Sequence, residues 1–481
     1  MSASYRTVRI ARWLALALVL TFAAPRAAWA HAHLVRSAPA AGAHLAASPK
    51  LLQLWYSEAA EATMTRVTLA GPDGTRASLG VVRADASDPL LLVATIDTPL
   101  PAGKYTVTWR TVAKDDGHPS NGSFSFVVDS APPDMAGSAA NGDTAASAGL
   151  VQSDSADTAR PATSPVSGMD VEAPSYVLAR WLDFVALIVL IGAAAFTLLV
   201  LPRVGVQNDA DQVADFDGRA TRRAATLGLI AGVVFLIASV WRLGAEHAVI
   251  GGNLSMGTLL RSFWGRVWIA QFVVAVIVCV AFALARASRR GSGAWLATAI
   301  AVLVLAATPA LSGHAIAAPG NRVVSVALDA IHVVAAGGWL GGLVVLALVG
   351  VPAALSVGGD SSNGGLSLVA RLVNAFSPLA LVFAGFVVAS GVIAAWMRVG
   401  SFAALFHSAY GTVLLIKLGL VVLVLAGGAF NWLRMRGALA HRTTGQSAVG
   451  SFRRSAWLEL TAGALVIAAT AVLVATQPPV R

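Results

Sequence analysis

The stretch KYTVTWRTVAKDDGHPSNGSFSFVV, residues 104–128, holds two alternating segments joined by a turn. In KYTVTWRTV (104–112) and GSFSFVV (122–128) apolar and polar residues alternate, the period of strands with one buried face. Tyr105, Val107 and Trp109 fall on one such face and read as core. Between the strands, KDDGHPSNG (114–122) is turn chemistry that sets Asp116 and His118 on either side of Gly117, where a turn can aim both side chains at one point. Working outward, LLQLWYS (51–57), TRVTLAG (65–71) and LLLVATI (90–96) read as further strands, punctuated by GPDGT (71–75) and PLPAGK (99–104). Residues 31–128 contain no run long enough to cross a bilayer. The expectation is a small all-β soluble domain, an immunoglobulin-like or cupredoxin-like sandwich or barrel.

Residues 1–30, ahead of this domain, have the layout of a signal peptide. Arg6, Arg9 and Arg12 make a positive start, WLALALVLTFAA (13–24) is apolar but short for a spanning helix, and AWA (28–30) is a cleavage signal. Cutting after Ala30 leaves His31 as the mature terminus; the competing reading is an uncleaved anchor. Residues 129–175, beyond the domain, are rich in Ala, Ser, Gly, Pro and Asp and lack the apolar surface for a core, so they read as a disordered tether.

Residues 176–476 read as an all-α polytopic membrane domain of about eight transmembrane helices, near 176–201, 224–241, 267–285, 294–312, 323–350, 372–396, 410–430 and 456–476. The chain is 57% hydrophobic and only 12% charged, with its charges gathered in short loops. If the β domain lies outside, the inward loops hold thirteen arginines (203, 219, 222, 223, 286, 289, 290, 371, 434, 436, 442, 453, 454) and the outward ones five (242, 261, 266, 322, 398). The positive-inside rule agrees with that orientation and places the C-terminus outside as well. The net charge of +10 is thus a topology signal, and neither a nucleic-acid pattern nor a phosphate-binding glycine loop accompanies it. Cys279, the single cysteine, lies in an apolar run and reads as a core or lipid-facing thiol, with a metal-ligand role the lesser alternative.

A mature N-terminal His offers the α-amine and the ring as two nitrogens for one metal. With Asp116 and His118 as further donors, the set is nitrogen-rich with an oxygen, which suits Cu(II). Here the segments HAHLVRSAPAAGA (31–43), LWYSEAAE (54–61) and PLPAGKYTVTWRTVAKDDGHPSNGSFSF (99–126) resemble the periplasmic copper-binding CopC family. The resemblance implies a Cu(II) site of His31 (amine and ring), Asp116 and His118, with His33 and Glu58 beside it. Some members carry a Met-rich Cu(I) site; with Met64 alone in this domain, a Cu(II)-only version is expected. His44 reads as a surface residue.

In the membrane half, ionisable side chains within apolar runs need a reason: Asp183, Asp329, His332, Lys417 and Glu459. Asp329 and His332, three apart, share a helix face, and the plainest role for such groups is interhelical ion pairing, for example an aspartate with Lys417. His247, His314, His332 and His407 fall toward the outer side with Met256 and Met397, while His441 is inside. LSGHAIA (311–317), LDAIHVVAAGGWLGGL (328–343), YGTVLLIKLGLVVLVLAGGAFNWLR (410–434) and LELTAGALVIAATAVL (458–473) resemble the CopD family of copper-associated membrane proteins. That resemblance implies a membrane copper path at His314, Asp329 and His332, with Lys417, Asn431 and Glu459 as family-like positions. Trp339 and glycines 337, 338, 341 and 342 read as close helix packing.

The expectation is a CopC–CopD fusion in the inner membrane: an outer domain takes Cu(II) and passes copper, as Cu(I) or Cu(II), to the membrane domain for uptake or tolerance. Its expected partners are copper ion, the bilayer and periplasmic copper carriers or cuproproteins, with no nucleic acid, no nucleotide and no enzymatic role. Two rivals are a copper-dependent oxygenase, which also uses an N-terminal His, and a membrane-anchored copper storage or sensing module.

Overall fold

The computed structural model describes residues 32–114, 119–129, 174–204, 210–250, 255–311, 322–357, 362–399, 401–438 and 445–476. The chain divides into two compact units, one of strands and one of helices. The expected signal peptide and tether lie outside the described residues.

Strands run in chain order as β1 (Leu34–Ala38), β2 (His44–Leu45), β3 (Leu51–Tyr56), β4 (Arg66–Ala70), β5 (Arg76–Ala77), β6 (Arg83–Ala84), β7 (Leu91–Thr95), β8 (Gly103–Val112) and β9 (Pro119–Val128). The strands read from alternation are all present; β1, β2, β5 and β6, each five residues or shorter, are additional. One sheet has the order β1-β3-β7-β6, the other β2-β9-β8-β4-β5. All pairings are antiparallel except β2 with β9.

Alternation makes the core. Leu52, Leu54 and Tyr56 of β3 and Leu92 and Ala94 of β7 are buried with Leu69, Tyr105, Val107, Trp109 and Phe126 from the other sheet. Tyr105 stacks on Phe126, and Tyr56 meets Trp109 edge-on with centroids 5.3 Å apart. Gly122 of β9 stands opposite Trp109 of β8, and a Cβ there would lie 2.7 Å from the indole Cζ2, so the bulky core residue depends on a partner without a side chain.

Eight helices among the described residues are long and apolar enough to cross a membrane. They are built on α1 (Pro174–Ala195), α2 (Ala210–Ile250), α3 (Phe263–Arg286), α4 (Gly293–Leu311), α5 (Arg322–Ala336), α6 (Ser362–Val399), α7 (Ala409–Ala438) and α8 (Gly445–Ala475). Helix α1 continues through a π-helical turn, Phe196–Val200, and α5 through two, Gly337–Gly341 and Leu346–Gly350. At their crossing, a Cβ on Gly192 would lie 2.1 Å from the Gly341 carbonyl carbon, so α1 and the continuation of α5 meet backbone to backbone. Gly337, Gly338, Trp339, Gly341 and Gly342 are all buried there, in keeping with a packing role. Cys279 is half-buried and faces α2, where a Cβ on Gly232 would lie 2.6 Å from its Sγ.

Two expectations are corrected. Helices α2 and α6 run past their apolar cores to Ile250 and Val399, so Arg242 and Arg398 are helical residues and not loop residues. Hydropathy ended the spans at the first charge; the structure continues because each charge finds a partner inside.

Candidate metal centre

In the β unit, three segments converge at one end. Strand β1 begins beside the end of β3: Leu34 pairs with Tyr56, the Ser57 amide donates to the His33 carbonyl at 2.8 Å, and the His33 amide donates back to Ser57 Oγ at 3.0 Å. Three residues on, the same segment binds the end of β8. Ala60 bridges Ala113, the Lys114 amide donates to the Ala59 carbonyl, and the Glu61 amide donates to the Val112 carbonyl, both at 2.8 Å. Residues 57–61 therefore hold the described chain on both sides of the candidate site, the approach to position 31 and the exit toward 115–118. Ala32 is wholly buried and anchors that approach in the core.

His31, Asp116 and His118 lie outside the described residues. Of the two neighbours named from the sequence, His33 and Glu58, both are partly buried and both belong to this end of the sandwich. Burial lowers the His33 pKa, which favours the neutral ring. His44 is exposed, as expected, with Nδ1 3.1 Å from Asp129 Oδ1. Met64 is buried at 4% exposure, a core residue.

Among the described residues of the helical unit, intramembrane charges enter two hydrogen-bonded networks. The first joins α1 to α4. Arg242 Nη1 donates to Asp183 Oδ2 at 3.4 Å and its Nη2 to Gln271 Oε1 at 3.2 Å; Gln271 Nε2 donates to Thr308 Oγ1 at 2.9 Å. Ser239 Oγ donates to Asp183 Oδ1 at 3.4 Å, and Trp268 Nε1 donates to the Ser239 carbonyl at 3.1 Å. The second joins α5 to α6: Arg398 Nη2 donates to Asp329 Oδ2 at 2.7 Å, and His332 Nδ1 lies 2.9 Å from Ser390 Oγ. The expected ion pairing is present, yet the partner of each aspartate is an arginine. For Asp329 the hydrogen-bonded partner is the guanidinium of Arg398, and Lys417 acts on the same carboxylate through its charge. Glu459 is buried and packs against the α7 backbone, where a Cβ on Gly427 would lie 3.5 Å from its Cγ. His314 lies outside the described residues, as does the Asn431 side chain.

Asp329 and His332 share one face of α5, as their spacing predicts, and both reach α6. Among the described residues no three His, Cys, Asp or Glu side chains cluster as a metal cage. In the sequence Arg242 and Arg398 count only toward the loop-charge bias, and Ser57 and Ser390 carry no signal of their own. The arginines are hidden because the apolar cores end before them; the serines act on a backbone amide and a ring nitrogen that no spacing rule reveals.

Comparison with known proteins gives three family matches. The CopC domain model matches residues 34–129, "Copper resistance protein D-like, N-terminal domain" matches 169–324, and "Copper resistance protein D" matches 370–473. Copper transport protein CutJ of Bacillus subtilis (strain 168) is 26% identical over 432 residues, 88% of this chain and 71% of that one. Copper resistance protein C of Pseudomonas syringae pv. tomato is 37% identical over 106 residues, 21% of this chain and 82% of its own. Among solved structures, CopC from Methylosinus trichosporium OB3b shares 31% identity, covering 21% of this chain and 94% of its own, with a TM-score of 0.20.

Proposed function

We infer the function from the premise that this chain belongs to the CopC–CopD family, a CopC domain fused to CopD-family membrane domains: it is a copper-handling membrane protein whose outer domain takes up Cu(II) and passes copper to the helical unit. The proposed site is His31 through its amine and ring, Asp116 and His118, with His33 and Glu58 alongside. Two imidazoles, an amine and a carboxylate are a donor set that suits Cu(II). The observation that carries this reading is the convergence on residues 57–61, where one segment holds both the approach to position 31 and the end of the strand leading to 116–118. Cleavage after Ala30 would create the amine ligand, so the reading also proposes export of the β domain to the periplasmic side.

The arginine bias read from the sequence, thirteen toward one side and five toward the other, supports that orientation. Tethering keeps the capturing domain at raised effective concentration near the membrane unit. The resulting role is copper uptake or tolerance, with His314, Asp329 and His332 on the proposed membrane path.

N-terminal sequencing of the mature protein and then Cu(II) titration of residues 31–129 tests the site. The expected result is a His31 terminus and one tight equivalent of Cu(II), weakened by a single-residue N-terminal extension that removes the amine from the ring's side. A terminus elsewhere, or an extension without effect, overturns it. Unchanged cellular copper and copper tolerance after gene deletion would overturn the transport role.

A further inference from the structure

We propose that Ser390 is a positioning residue that locks His332 in its Nδ1–H tautomer, so that Nε2 presents its lone pair as a copper ligand within the membrane-spanning helices. The inference rests on the reading of His332 as part of the copper path, and it assigns to that path an atom and an orienting partner.

A count of hydrogens fixes the tautomer. A serine hydroxyl has one proton to donate and lone pairs to accept with. Ser390 Oγ lies 2.6 Å from the Phe386 carbonyl, one turn back on its own helix, and 3.3 Å from the Val387 carbonyl. Carbonyl oxygens only accept, so the hydroxyl proton is committed to α6. Ser390 can then only accept from His332 Nδ1, which lies 2.9 Å away on α5, and Nδ1 must carry the ring proton. In a neutral imidazole protonated at Nδ1, Nε2 is the free acceptor. A metal-bound histidine almost always has this arrangement: one nitrogen donates to a fixed oxygen and the other binds the ion.

Two neighbours bear on how the ring is seated. Asp329, one turn before His332, is the usual type of orienting carboxylate, but Arg398 engages it at 2.7 Å. Gly391, next to Ser390, leaves the space in which the ring lies: a Cβ there would sit 3.3 Å from His332 Cε1. The serine and the glycine behind it thus form a seat on α6 for a histidine from α5.

The full-length protein in lipid nanodiscs, labelled with ¹⁵N-histidine, reads the tautomer directly, with H332Q identifying the resonance. The wild type is expected to show the Nδ1-protonated pattern, S390A to lose it, and S390T, which keeps a hydroxyl, to retain it. Copper accumulation in cells expressing each variant should fall on the order of 10-fold for S390A and at least as far for H332Q, with S390T near wild type. S390C, whose thiol is a poorer partner, should fall between, and thermal melting of each variant in detergent separates this effect from misfolding. An unchanged tautomer in S390A overturns the proposal. A lost tautomer with wild-type accumulation in both S390A and H332Q instead removes His332 from the copper path while leaving the tautomer lock in place.

Discussion

Tyr56 shows how a single atom sets a local balance. The side chain is 1% exposed and its ring meets Trp109, but its hydroxyl is buried with no hydrogen-bond partner among the described residues. Burial accordingly pushes the phenol pKa well above its ordinary value. An unsatisfied buried hydroxyl carries a desolvation cost of about 1–3 kcal/mol, so Tyr56→Phe should leave the β domain as stable or more stable, whereas Tyr56→Ala should cost about 3–5 kcal/mol. Urea unfolding monitored by tryptophan fluorescence distinguishes the two, and a Phe variant markedly weaker than wild type would point to a partner for the hydroxyl. Asp85 makes the opposite case on the surface. Its Oδ1 accepts from the Ser87 amide at 2.9 Å, the Ser87 hydroxyl at 2.5 Å and the Asp88 amide at 3.2 Å, and these bonds lower its pKa. A carboxylate lowered in the folded state adds stability above its unfolded pKa of about 3.9 and loses it as pH falls through the folded value. The gap in urea midpoint between wild type and Asp85→Ala should therefore be present at pH 7 and narrow below about pH 4. At this scale the sequence was legible wherever a residue acts by type, as in the alternation of Tyr105, Val107 and Trp109. It was not where a residue acts by position, since Ser57 reads as any serine after a strand until its two bonds to His33 are seen.

At the scale of elements, Asp183 and Arg242 decide how α1, α2 and α3 stay together. Both are buried, and Arg242 extends the link through Gln271 to Thr308 on α4. Removing one partner of a buried pair leaves an uncompensated charge, at about 3–5 kcal/mol, while replacing both with apolar residues of similar volume is often neutral. Asp183→Ala should thus melt well below wild type in detergent, and the double variant Asp183→Leu/Arg242→Met should recover most of the loss. A double variant as weak as the single one would show that Asp183 does more than balance Arg242. The sequence did mark Asp183 as needing a partner, because an aspartate in an apolar run is costly. Choosing that partner required the length of α2, and the helix end is set by contacts with other helices, not by its own residues.

For the whole molecule, topology is the most direct test. With Cys279 replaced by serine, an impermeant maleimide added to intact cells should label cysteines placed at Ser255 and Ser401 and not one at Ser288; the reverse pattern overturns the proposed orientation. The division into a β unit and eight spans was legible because each class of pattern is strong: period two, a small-residue tether, and long apolar runs. The π-helical turns were not, since they arise from how α5 packs between α1 and α6. They have a rotational consequence. A π-helical turn takes one more residue than a regular turn and so offsets everything beyond it by about 100° about the helix axis. With two such turns, α5, which carries Asp329 and His332, and its continuation beyond Gly350 are out of phase with one another. Each half can therefore present its own side to its neighbours, as two gears keyed at different angles on one shaft, and the face that carries His332 need not be the face that packs the far end.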